Sequence, residues 1–114
     1  MADLKARQRA KQLASQRNLS ALANDTKWRE FFAEVTARQV PLEIKLLDGP
    51  EVFPCKTVWS PSLNYIEGGG MGPYLFVYLE YVSSSKLDEF ASIASSVGLE
   101  CIVEGSKATV YGYR

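Results

Sequence analysis

The chain has 114 residues, the size of one ordinary domain, and its 46% hydrophobic and 23% charged residues exclude intrinsic disorder. Thirteen basic and thirteen acidic side chains cancel to a net charge of zero. Histidine is absent, which excludes Ser-His-Asp and Cys-His nucleophilic sites and histidine-ligated metal sites.

The first segment, residues 3–17, is rich in Ala, Lys, Arg, Gln and Leu and predicts a helix with a thin apolar stripe of Leu4, Ala10, Leu13 and Ala14. Residues 1–23 carry five basic side chains against Asp3, a net of +4; eight basic and twelve acidic side chains leave residues 24–114 at −4. The reading is therefore a basic helical arm, 1–23, ahead of a single domain, 24–114. The start of the chain lacks the apolar core of a secretory signal, and no apolar run approaches the roughly 20 residues of a membrane span. A cytoplasmic protein without membrane association is expected. The pattern breaks at RNLSALAND, where LSALA suits a short helical turn.

A sharper helix follows. Asn24 or Asp25 caps it, and Trp28, Phe31, Phe32 and Val35 recur at i, i+3, i+4 and i+7. Glu34 and Arg38 make an i,i+4 pair on the opposite face, and Pro41 ends the segment. From residue 42 the period becomes two. LEIKL alternates up to the Asp48-Gly49-Pro50 turn, EVFPCKTVW reads as an edge strand because of Pro54, and SPSLNYIE reads as a strand or extended loop. Residues 74–82, YLFVYLEYV, form the strongest strand signal, with Leu75, Val77, Leu79 and Tyr81 on one face and Tyr74, Phe76, Tyr78, Glu80 and Val82 on the other. This strand should be central in its sheet. A third helix carries Leu87, Phe90, Ala91, Ile93, Ala94 and Val97, and Gly98 stops it.

The last segment is a hairpin around Gly105-Ser106. Glu104 opposes Lys107, an opposite-charge pair. Val103 then meets Ala108, and Cys101 meets Val110. The predicted fold class is α+β: N-terminal helices plus one further helix packed on a mostly antiparallel sheet that ends in a β-hairpin.

The glycine cluster GGGMGP at 68–73 leads into a strand, whereas a phosphate loop needs a helix after it and a nearby cation. No Lys or Arg occurs between Lys56 and Lys86, so the cluster reads as a strand-to-strand connection. Cys55 and Cys101 have no CxxC partner and read as small core residues. The carboxylates are scattered without a spaced motif. No catalytic, cofactor or metal residue is assigned, and a non-enzymatic role with no cofactor is expected.

What remains is surface. If the hairpin joins the central strand, Tyr74, Tyr78, Glu80, Glu100, Tyr111 and Tyr113 share one exposed face suited to a protein partner. Glu80, Glu100 and Glu104 on that face oppose phosphate, which disfavours nucleic acid there and leaves only the basic arm to contact it.

Two stretches carry a resemblance. NDTKWREFF at 24–32 is similar to the N-x-T-K-W opening of a family of small bacterial proteins of unknown function, and ATVYGYR at 108–114 resembles the V-Y-G-Y close of that family. The segment PSLNYIEGGGMGPYLF departs from it, lacking the tryptophan- and aspartate-rich turn. The resemblance implies no catalytic residue. By analogy with immunity proteins, the expected function is a non-catalytic protein-binding module that neutralises a bacterial toxin by occlusion. The alternative is a nucleic-acid accessory protein acting through the basic arm.

Overall fold

All three helices stop in the same way. In a computed structural model, which describes residues 2–49, 52–55, 65–66 and 74–114, α1 spans Ala2–Gln16, α2 Asp25–Arg38 and α3 Leu87–Ser96. Just past their ends, Asn18, Gln39 and Gly98 adopt positive φ values of 56°, 53° and 78°. After each, an N–H turns back to a carbonyl five residues earlier: Leu19 to Ala14, Val40 to Val35 and Leu99 to Ala94. This left-handed cap satisfies carbonyls that the helix leaves unpaired. At the other end of α2, the Asn24 side chain accepts from the Lys27 N–H at 2.9 Å, so Asn24 is the cap and Asp25 the first helical residue.

The strands are β1 (Leu42–Leu46), β2 (Val52–Cys55), β3 (Tyr65–Ile66), β4 (Tyr74–Leu75), β5 (Leu79–Ser84), β6 (Ile102–Glu104) and β7 (Lys107–Tyr111). Five of them form an antiparallel sheet in the order β2-β1-β5-β7-β6, and β3 pairs with β4 separately. The class is α+β, as expected. The hairpin register is also as expected, with Glu104 opposite Lys107 and Val103 opposite Ala108, and Gly105 at φ 60° makes the turn.

One face of the sheet packs on the helices. Leu42, Ile44 and Leu46 of β1, Leu79 and Val82 of β5, and Ala108 and Val110 of β7 are buried together with residues of α2 and α3. Aromatic rings weld the layers. Trp28 and Phe32 stack at 5.4 Å, Phe32 and Phe76 stack at 5.3 Å, and Phe31 meets Phe90 edge-on at 5.4 Å. The period of α2 read from sequence is the period that buries it.

Two expectations need correction. The run 74–82 is not one strand: β4 ends at Leu75, a 3₁₀ turn occupies Phe76–Tyr78, and β5 starts at Leu79. The turn lets Phe76, against Phe32, and Leu79 both enter the core, whereas an unbroken alternation would place those two on opposite faces. A bulge follows, since Lys45 pairs with Tyr81 while Leu46 pairs with Leu79, leaving Glu80 as the extra residue. The second correction concerns 19–23, which is extended rather than helical. Ala21 bridges Tyr113, and Ser20 and Arg114 exchange backbone hydrogen bonds of 3.3 and 3.0 Å.

That pairing ties α1 to the domain. Ala10 and Ala14 are buried with Leu47 against Val77, Tyr78 and Tyr113. Arg7 forms an ion pair with Asp25. The glycine cluster at 68–73 lies outside the described residues, as does the Cys55 side chain. Cys101 is half-buried against the core, and burial pushes its thiol up, partly offset by a backbone hydrogen bond at Thr109.

Candidate functional site

The pleat decides which side chains leave the core. With Ile44, Val82 and Val110 pointing inward, the register places Lys45, Tyr81 and Tyr111 in one row across the outer face and Glu43, Ser83 and Thr109 in the next. Among the described residues, no helix covers this face. The first row carries the Tyr81–Tyr111 pair on neighbouring strands, with ring centroids 5.5 Å apart and tilted by 58°. The Arg114 guanidinium lies over the Tyr111 ring, 5.0 Å from its centroid. Toward the hairpin, Lys107 and Glu43 form an ion pair that spans β5, and the small Ser83 beneath it is buried.

The bulge builds the other end of the face. Because Glu80 is the extra residue, its carboxylate turns to the side of Lys45 rather than continuing the alternation. Arg17, one residue past α1, grips both of its oxygens at 2.6 and 3.0 Å, and Lys45 donates at 3.0 Å to one of them. Lys45 also donates to the Leu46 carbonyl at 2.7 Å. Glu80 itself is only 7% exposed. Burial pushes its carboxyl up, but the hydrogen bonds and charges of Arg17 and Lys45 together outweigh that and hold it below the usual carboxylate range. Conversely, the hydrogen bond to Glu80 raises the Arg17 guanidinium. Burial first, then the Glu80 charge and Tyr111, push the Tyr81 phenol up.

The six residues read from sequence do not share one surface. Tyr111 is half-buried on this outer face, and Glu80 is beside it but covered by its two cations. Tyr78 ends the 3₁₀ turn and packs half-buried against both apolar clusters. Tyr113 turns toward α1 and donates its hydroxyl to the Val77 carbonyl at 2.7 Å. Glu100 is exposed in the connection between α3 and β6. Tyr74 opens β4 opposite Ile66, and its side chain lies outside the described residues.

Tyr81, Arg114 and Arg17 were missed. A signal for Tyr81 did exist: counting outward from the buried Val82 places it opposite the core. Counting from Leu79 gives the reverse answer, because the bulge lies between them. Arg17 carries no local signal, since it reaches Glu80 through a tertiary approach, whereas Arg114 stacks on a ring only three residues before it.

A cleft of about 660 Å³ lies between α1 and the 3₁₀ turn, bordered by Lys11, Ser15, Asn18, Ser20 and Tyr113. Its Tyr113 hydroxyl is already committed to a carbonyl, and Arg7 on its rim holds Asp25. The cleft thus offers a ligand fewer ready donors than its lining implies. Comparison of the chain with family models, with curated proteins and with solved structures finds no match.

Proposed function

We propose that this chain is a non-catalytic protein-binding module of the bacterial cytoplasm, of the immunity type, which neutralises a toxin by laying the open face of its sheet over it. The observation that carries the reading is the Tyr81–Tyr111 pair with Arg114 stacked on it. Tyrosine and arginine supply large, rigid, amphipathic contact area, and such residues dominate binding energy at protein interfaces. The sheet beneath them is held by a continuous core, so the face is presented without an ordering cost. Co-expression with the product of the adjacent gene tests it. Retention of that product, lost in a Tyr81→Ala/Tyr111→Ala variant whose circular dichroism is unchanged, is the expected result. No retained partner, or retention indifferent to both tyrosines, refutes it.

A second reading keeps one specific observation. Lys5, Arg9 and Lys11 are exposed on α1, whereas Arg7 and Arg17 are engaged with Asp25 and Glu80. A nucleic-acid accessory role would act through those three cations, and neutralising them would abolish salt-sensitive oligonucleotide binding.

A further inference from the structure

We infer that the partner contacts the Tyr81–Tyr111 end of this face with a carboxylate-bearing segment of protein. This rests on the reading of the open face as a docking surface and adds the chemistry of what docks there. At this end one carboxylate, Glu80, is met by two cations, Arg17 and Lys45. That cluster carries a side-chain charge of +1, and Arg114, held against Tyr111, raises it to +2. The far end of the face has the opposite sense. Lys107 faces both Glu43, its ion-pair partner, and Glu104, its cross-strand neighbour, which leaves −1.

Docking withdraws water from Arg114 and from a cluster in which Arg17 and Lys45 share the single carboxylate of Glu80. A cation desolvated without a countercharge is strongly disfavoured, so a stable complex must deliver acidic groups beside Tyr111. Glu80 cannot serve, because its oxygens are already shared between Arg17 and Lys45. The uneven charge also selects between two kinds of acidic partner. A polyphosphate chain bears charge along its whole length and would meet Glu43 and Glu104 as well. A peptide segment can place carboxylates at one end alone. Specificity of this sort resides in charge placement more than in area.

The test uses the full chain at low ionic strength with three probes: a random copolymer of glutamate and tyrosine, poly-lysine and an oligothymidylate. NMR shifts of Tyr81, Tyr111 and Arg114 report where each binds. The copolymer is expected to shift those residues and to bind at least about tenfold more weakly to Arg114→Glu, with the sheet intact by circular dichroism. A Lys107→Gln variant, altered at the other end, should retain copolymer binding. Poly-lysine preferred at the same tyrosines would overturn the acidic assignment while leaving the face a protein-docking surface. Tighter binding of the oligothymidylate than of the copolymer would make the surface a nucleic-acid site. Absence of shifts with every probe would overturn the docking reading along with this inference.

Discussion

Gly112 sits directly against the backbone of Leu79. A Cβ on Gly112 would overlap the Leu79 carbonyl oxygen and come within 3.1 Å of Trp28 Cζ2. The same glycine donates its N–H to the Glu80 backbone carbonyl at 2.8 Å, so it is pinned where β5 bulges. Neither a backbone carbonyl nor a buried indole can give way cheaply. Gly112→Ala should therefore destabilise the protein by about 3 kcal/mol, read as a lower urea midpoint at unchanged slope. A midpoint within error of the parent chain would refute the close approach.

Glu80 should make stability depend on acid. Its folded carboxyl lies below its ordinary value of 4.5, so between the two values the unfolded chain binds more protons. The contribution is fully present above the ordinary value and is lost as pH falls through the folded one. Glu80→Gln leaves Arg17 and Lys45 facing a neutral amide and should lower stability at pH 7 by about 2 kcal/mol. The difference between parent and variant should shrink progressively below pH 4.5. Thermal melts from pH 7 downward check it, and a constant difference would count against the linkage.

Gln39 is a position where the protein can be improved. It holds φ 53° at the left-handed end of α2, where Gly98 occupies the matching place after α3. A left-handed residue with a Cβ is disfavoured by roughly 1–2 kcal/mol, and glycine removes that while losing about 0.5–1 kcal/mol through its freer unfolded chain. Gln39→Gly should thus stabilise by about 0.5 kcal/mol. A decrease in melting temperature would be the contrary result.

Removal of residues 1–23 should damage the fold rather than trim an appendage. It would expose Leu47, Val77 and Tyr113, strip Glu80 of Arg17 and delete the bridge at Ala21. The truncated chain should lose its cooperative urea transition or shift it to much lower urea. A transition equal to that of the full chain would mean that α1 adds nothing to the domain. For the same reason, lost oligonucleotide binding in a truncation says nothing about the arm; point changes at Lys5, Arg9 and Lys11 do.

Short-range physics was legible in the sequence. The i, i+3, i+4, i+7 spacing of Trp28, Phe31, Phe32 and Val35, the stop at Gly98 and the two-residue turn at Gly105 each depend on neighbours in the chain. The two quoted motifs also acquire physical content. Asn24 is a cap, Trp28 is core, and Gly112 is the residue that lets β7 meet both Leu79 and Trp28. What could not be read was where alternation fails. Tyr78 was expected outside because a strand was extrapolated through a 3₁₀ turn and a bulge, and Tyr113 because the alternation of β7 was carried past its end at Tyr111; partners distant in sequence impose both departures. Of the candidate face, Tyr111 was found because its hairpin register is local. Tyr81 was not, because its neighbour Glu80 is the residue that breaks the count.

The bridge between Ala21 and Tyr113 joins segments nearly the whole sequence apart. On a ribosome, α1 is made long before the segment that holds its connection in place. Until Gly112–Arg114 clears the exit tunnel, the small apolar stripe of Ala10 and Ala14 has no finished surface to settle on. Closure of α1 onto the domain is therefore a late, long-range step of folding, and until it happens the helix is tethered only by its own connection.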